Sequence, residues 1–370
     1  MIRVLHVIRA MNMAGAETFI MNVYRHIDRE KIQFDFLVNV FNECDYDNEI
    51  IKLGGRIYAI PRYYLINHSL YKRACNSFFQ THPEHSIVHG HIGSSAPVYL
   101  PQAKKNHKYT IAHSHNAMNN DSIQNIAFNQ IARKVRDKAD YYFACSLEAG
   151  INRFGTTITE SKHFSVVNNG IDIAKYRRTQ NSIKAAKQKF SVGDAPVFLH
   201  IGRFNAQKNH DFLIDVFSVI RQELPSAKLL LVGEGEEFQK IKSKVSHLNL
   251  ESSVLFLGVR SDIPDVLRAS DVFLFPSISE GLGIALIEAQ ASGLPCVVSS
   301  QIPELACLTP LVTKLNLDSS HEWAQTCIDA YSSSKLSYPD YSSIIKAKGF
   351  DIRETANWLS DFYLTASKKY

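Results

Sequence analysis

At 370 residues with 45% hydrophobic residues, the chain has about twice the usual domain length, so two separate cores are expected rather than one. The net charge of +5 comes with no nucleic-acid motif and argues against a nucleic-acid partner. No segment offers about 18 uninterrupted apolar residues, which leaves only peripheral contact with a membrane.

The opening "MIRVLHVIRA" reads as a first strand, because the polar "RAMN" interrupts the apolar run too early for a signal peptide. Short β-rich runs follow with helical stretches between them: "FDFLVNV", "RIYAI", "SIVHGH", "YTIAHSH", "YYFACS" and "HFSVVNNG". A helix is expected over "SIQNIAFNQIARKVRDKAD". The polar stretch at about 172–190 reads as a connection, after which the pattern restarts with "PVFLHIGR", "AKLLLVGEG", "SVLFLG", "DVFLFPS" and "PCVVSS". Two βα series imply an α/β protein with two doubly wound parallel-sheet domains. Neither an internal repeat nor a low-complexity segment is visible. The six cysteines (Cys44, Cys75, Cys145, Cys296, Cys307 and Cys327) lack CxxC or metal-ligand spacing and read as reduced thiols of a cytosolic protein. The charge excess is confined to the first half: residues 1–170 hold 19 Lys and Arg against 14 Asp and Glu, while 171–370 hold 22 of each. Arg133, Lys134, Arg136 and Lys138, with Lys104, Lys105 and Lys108, are the basic residues that suit an anionic partner or lipid surface.

In open α/β sheets ligands bind beyond the carboxyl ends of strands, at helix N-termini. There "FLFPSISEGLGIALIEA" reads as strand, loop and helix, with Glu280 before the helix and Glu288 on its body. An unpaired carboxylate in such surroundings is costly, so each needs a partner. The free N–H groups of Gly283, Ile284 and Ala285 would face an anion. Upstream, "HIGRFNAQKNH" ends a strand with Arg203 and Lys208, two cations able to neutralise a diphosphate without a metal. "YTIAHSHN" puts His113 and His115 on one strand face, and "IVHGH" does the same for His89 and His91. The two pairs fall on separate predicted strands with no carboxylate set nearby, so no metal site is expected. "VGEGEE" lacks the third glycine of a dinucleotide fingerprint and crowds it with glutamates, making a poor NAD site.

In order along the chain, "VVNNGID", "GRFNAQKN", "VGEGEEF" and "FLGVRSDIPDVLRASDVFLFPSISEGLGIALIEAQASGLP" resemble the retaining glycosyltransferases of family 4, with wording similar to the capsular and exopolysaccharide branch. The resemblance implies a GT-B fold: two Rossmann-like domains facing a central cleft, an acceptor domain over 1–171 and a nucleotide-sugar domain over 172–345. A C-terminal helix over 346–370 is expected to cross back to the first domain. It assigns Glu280, Gly281, Leu282 and Gly283 to the donor sugar, Glu288 to the ribose, and Gly233, Val259 and Arg260 to the neighbourhood of the nucleobase. Arg203, Lys208 and the helix start at Gly283, Ile284 and Ala285 fall to the diphosphate. Gly15 in "MAGAETFI" matches the family's glycine loop, although Ala14 replaces the first of two glycines. His115, with Glu280, is the catalytic candidate, and His113 is its alternative. The implied activity is metal-independent transfer of a hexose-type unit from a UDP-sugar, with retention, to a lipid-diphosphate oligosaccharide in bacterial surface polysaccharide synthesis. The implied location is cytoplasmic, at the inner face of the membrane. A sugar-nucleotide epimerase or hydrolase, or a non-catalytic nucleotide-sugar-binding module, could share the same anion cage.

Overall fold

The computed structural model describes residues 1–115, 130, 132–334 and 339–369. The chain forms two compact units: residues 1–170 with 349–370 (unit 1), and residues 171–348 (unit 2).

Unit 1 is built on strands β1 Ile2–Val7, β2 Ile32–Val38, β3 Ile57–Ala59, β4 His85–Gly90, β5 Tyr109–Ser114, β6 Tyr141–Ala144 and β7 Phe164–Val166. They lie in the order β3-β2-β1-β4-β5-β6-β7, all parallel. Both faces are covered, which is why the strands read as nearly continuous apolar runs. Val4, Phe34, Phe36, Ile87, Ile111 and Phe143 enter one core, and Leu5, Val7, Leu37, Val88 and Ala112 enter the other, following the period-2 alternation of a strand. The first core is closed by the helix Gly15–His26, through Phe19, Ile20, Val23 and Tyr24, and by the helix Ile352–Ala366. The latter starts at an Asp351 cap whose carboxylate accepts the Arg353 N–H at 2.9 Å, and it buries Ile352, Ala356, Leu359, Tyr363 and Ala366 at three- to four-residue spacing. At the amino ends of the strands the buried Asp35 carboxylate accepts from Arg3 at 2.5 and 2.6 Å and from His85 at 2.8 Å. Hydrogen bonds from Arg3, His85 and the Arg56 N–H hold Asp35 well below the usual carboxylate range despite its burial.

Unit 2 holds β8 Val197–Ile201, β9 Lys228–Val232, β10 Val254–Gly258, β11 Val272–Phe275, β12 Cys296–Ser299 and β13 Val312–Leu315, parallel in the order β10-β9-β8-β11-β12-β13. Chain direction across the sheet reverses between β8 and β11, as it does in unit 1 between β1 and β4. These are the switch points at which an open sheet leaves a crevice for ligands.

Three expectations change. The stretch 172–190 is not a bare connection: it contains the helix Gln180–Lys189, started by a Thr179–Ser182 capping box, and buries Ile173, Tyr176, Ile183 and Ala186 within unit 2. Polar composition misled because a surface helix needs only one apolar stripe. The first part of the helix expected over 122–140, residues 122–129 with 131, lies outside the described residues, and residues 134–140 form turns and bends, with Asp137 at φ 60°. Not all the basic residues named for an anionic partner are open to one, since Lys108 is buried with its ammonium donating to the His82 and Pro83 carbonyls, and Lys104 pairs with Asp140 at 2.8 Å. No described helix is long and apolar enough to cross a membrane. All six cysteines are unbridged.

Candidate active site

In unit 2 the candidate residues converge on the β8/β11 switch point. Asn205, in extended backbone, caps a single 3-10 turn by accepting the Lys208 N–H on its side-chain oxygen at 3.1 Å, and Asn209 ends the turn at φ 54°. Asparagine is among the few residues that tolerate this left-handed conformation. The loop is clipped to the one after β11: Gln207 donates to the Ser279 carbonyl at 2.7 Å and its own carbonyl accepts from the Ile278 N–H at 2.8 Å. This brings the Lys208 ammonium to 2.5 Å from Glu280 Oε1, while it also stands over the Phe275 ring at 4.9 Å. Glu280 is therefore partnered by the protein itself, a role the sequence reading had reserved for a ligand. Arg203 is exposed, and its guanidinium has no partner among the described residues.

Gly281 and Leu282 lead into Gly283, which takes φ 71° as N-cap of the helix Ile284–Ala291. No N–H of Gly283, Ile284 or Ala285 finds a partner among the described residues, so the helix start presents donors and a positive dipole end close to Glu280 and the Lys208 that holds it, at the switch point whose other loop carries Arg203. Glu288, one turn further on, is half-buried and accepts from the Tyr176 hydroxyl at 2.6 Å. Burial pushes its carboxyl up to about 7, against the opposing effect of that hydrogen bond.

Gly233, after β9, takes φ 133°, and a Cβ there would stand 2.1 Å from the Gly202 carbonyl oxygen. The glycine of "VGEGEE" thus serves close packing of two backbones rather than a pyrophosphate. Val259 is exposed on the loop after β10, and Arg260 forms a two-point pair with Asp262 at 2.7 and 2.6 Å.

In unit 1 the switch point carries histidines. His6 faces His89 across β1 and β4, and one pleat further on His91 and His113 continue the same face. Because β4 and β5 are neighbours, the two HxH pairs interlock although they lie on separate strands. His115 Nε2 lies 2.7 Å from His91 Nδ1, and His91 Nε2 lies 3.0 Å from His6 Nδ1. His89 bridges His113 at 3.1 Å and the Tyr363 hydroxyl at 2.7 Å. The His113 and His115 rings stack with centroids 4.0 Å apart. Burial drives all five imidazoles down, His6 and His115 to about 3, so each is neutral near pH 7. His91, His113 and His115 offer nitrogens within 4.8 Å of one another, but hydrogen bonds between rings already occupy several of them. Among the described residues His115 Nδ1 and His113 Nε2 are buried without partners, as is Arg153 Nη1. All three residues line a cavity of about 240 Å³ together with Ile8, Glu17 and His91. Buried polar atoms left unpaired at one end of a sheet are the exception in folded proteins and mark where a ligand would pair them. Gly15 opens the nearby helix with no described residue within 4 Å of where a Cβ would stand.

His6, Tyr176 and Arg153 had not been singled out from sequence. His6 carried a signal, its place at the carboxyl end of the first strand; Tyr176 carried none.

The model of the family "Glycosyl transferases group 1" matches residues 182–333. A putative glycosyltransferase EpsF of Bacillus subtilis (strain 168) is 32% identical over 379 residues, covering 99% of this chain and 97% of that one. A UDP-Gal:alpha-D-GlcNAc-diphosphoundecaprenol alpha-1,3-galactosyltransferase of Escherichia coli is 36% identical over 140 residues, 37% of this chain and 36% of that protein. Among solved structures, Anabaena Alr3699/HepE in complex with UDP-glucose superposes with a TM-score of 0.80 at 18% identity, over 99% of this chain and all of the other, which shows a common GT-B fold. The chain belongs to the glycosyl transferases group 1 and is a glycosyltransferase.

Proposed function

We propose that the protein transfers a hexose-type unit from a UDP-sugar, with retention and without a metal, to a lipid-diphosphate oligosaccharide of a bacterial surface polysaccharide. One observation carries the donor half of this reading: an unpartnered Arg203, the Lys208–Glu280 pair and the open N-terminus of Ile284–Ala291 meet at one switch point. In transfer the bond between the anomeric carbon and the diphosphate oxygen breaks, and negative charge grows on the leaving group. Arg203, Lys208 and the N–H groups of Gly283, Ile284 and Ala285 answer that charge, the task a divalent cation performs elsewhere. The acceptor hydroxyl attacks from the same face and gives its proton to the departing diphosphate oxygen.

Glu280, held in place by Lys208, accepts from donor-sugar hydroxyls together with the backbone of Gly281, Leu282 and Gly283. Glu288 accepts from the ribose, which requires it to be ionised. Gly233, Val259 and Arg260 border the base. His115, as a neutral imidazole with a free Nδ1, can exchange one hydrogen bond with a sugar hydroxyl without adding charge, and Gly15 leaves its helix start open to a ligand. The UDP-sugar donor and the lipid-diphosphate acceptor are supported by the E. coli galactosyltransferase, and the donor also by the UDP-glucose complex of HepE. Such an acceptor places the enzyme at the inner face of the membrane by peripheral contact. The test is a panel of UDP-, GDP- and ADP-hexoses offered with a diphosphoundecaprenol-linked sugar. Transfer from a UDP-hexose is expected; release of free sugar at the same rate with and without acceptor would make the protein a hydrolase instead.

A further inference from the structure

We infer that unit 1 docks on an anionic bilayer through residues 62–73, with Tyr64, Leu65, Ile66 and Leu70 entering the interface and Arg62, Lys72 and Arg73 meeting lipid phosphates. The inference rests on the reading of a bilayer-held acceptor and assigns the surface that reaches it. From Ile50 to Pro83 the sequence contains no Asp or Glu, while carrying five Lys or Arg. Inside this acid-free stretch, after β3, the chain turns sharply and exposes two adjacent aliphatic residues: Leu65 is 65% exposed and Ile66 99%.

The exposure is built, not accidental. Asn67 pins the turn, its side-chain oxygen accepting the Tyr64 N–H at 2.7 Å and its amide donating to the Arg62 carbonyl at 2.8 Å. Tyr63 turns inward against Tyr71, with ring centroids 5.2 Å apart, and anchors the turn to the core. The helix His68–Thr81 that follows buries Tyr71, Cys75, Phe78 and Phe79 and leaves Leu70, Lys72 and Arg73 outside. Arg62 lies over the Tyr64 ring at 5.3 Å, and neither it nor Lys72 nor Arg73 meets a carboxylate among the described residues. Folding would ordinarily hide such a tip. An aromatic and aliphatic tip ringed by cations without counter-charges matches the interface of an anionic membrane, where tyrosine prefers the headgroup level and basic side chains gain from the surface potential.

The test is flotation of the full chain with phosphatidylcholine vesicles, with and without 30% phosphatidylglycerol, at low and high salt. The expected result is binding to the anionic vesicles only, weakened at least tenfold by Leu65→Glu with Ile66→Glu, and weakened and made less salt-sensitive by Lys72→Glu with Arg73→Glu. Lys134→Glu with Lys138→Glu should bind within twofold of the parent. UDP titration and transfer to a water-soluble acceptor analogue, followed in the same variants, are expected to be unchanged. Absence of both in the parent would count against the transferase reading and their loss in the variants against a docking surface separate from the site, whereas vesicle binding indifferent to Leu65→Glu with Ile66→Glu would overturn the docking surface alone. Equal binding to both vesicle types, or a requirement for a protein partner before any binding, would overturn it as well.

Discussion

At the switch point of unit 1 the loops carry imidazoles that burial holds neutral, whereas at the switch point of unit 2 they carry Arg203, Lys208 and Glu280. Both sheets are parallel and reverse their strand order in the same way, so topology decides where each crevice lies but not what it can hold. Unit 2 adds a helix start free of partners and an arginine in water, which suits a ligand bearing two phosphates. Unit 1 offers neutral ring nitrogens, which suit hydroxyls, with Arg9, Glu17 and Arg153 as the other ionisable side chains on the same cavity.

The difference should show most strongly in acid. Each histidine of the cluster (His6, His89, His91, His113 and His115) has a folded value below its unfolded 6.5, so the unfolded chain binds more protons and stability is lost as pH falls below about 6.5, down toward about 3 for His6 and His115. At pH 5.5 each buried imidazole costs up to about 1.4 kcal/mol, so five together cost up to about 7 kcal/mol. Urea unfolding between pH 7.5 and 5.5 measures it. Stability independent of pH over that range would mean that the cluster opens to water.

Next come the cations of unit 2. Arg203→Ala should weaken the transition state by about 2–4 kcal/mol with folding unaffected, because its side chain holds nothing else in place. Lys208→Ala should lose at least as much turnover and also some stability, since Glu280, with its side chain 7% exposed, is left unpaired. Turnover within threefold of the parent in both variants would remove these cations from the mechanism. Glu280→Gln should mainly lower turnover and blur the choice of sugar.

Glu288 supplies a smaller and opposite pH signal. Its carboxyl is raised from 4.5 to about 7, so its stabilising contribution is present below 4.5 and is lost as pH rises through about 7. If ribose hydroxyls need the carboxylate, UDP affinity should fall by up to about tenfold per pH unit below 7. Glu288→Gln should flatten that slope, and comparing the two proteins cancels the titration of the phosphate itself. Calorimetry at pH 5.5 to 8 separates the cases; parallel slopes would deny Glu288 the ribose.

The smallest structural effect belongs to Gly15→Ala. A Cβ there meets no described residue within 4 Å, so unfolding should change by less than about 0.5 kcal/mol. Activity should nonetheless drop if ligand backs onto that position. Unchanged activity would make Gly15 an ordinary helix start.

Much of the fold was legible because each parallel strand is buried on both faces and announces itself as an apolar run. The lone misreading of an element among the described residues of unit 2, at 172–190, came from a helix with one narrow apolar stripe. Arg203, Lys208 and Glu280 were legible as residues of one site because each follows a strand. Their pairing was not, since the Gln207–Ser279 clip that joins the two loops leaves no mark in sequence. The histidine column was half legible: alternation put His113 with His115, but only strand order could set β1, β4 and β5 side by side and add His6. Lys108 misled because a lysine whose ammonium is satisfied by two carbonyls looks, in sequence, like any surface lysine.

The charge assignment of unit 2 is tested most directly by transfer from a UDP-hexose in excess EDTA, run with the parent and with Arg203→Ala. If Arg203, Lys208 and the helix start neutralise the leaving diphosphate, the parent keeps its full rate in EDTA and Arg203→Ala stays impaired whether or not Mg²⁺ is added. Complete loss of the parent's activity in EDTA, restored by Mg²⁺ or Mn²⁺, would contradict it.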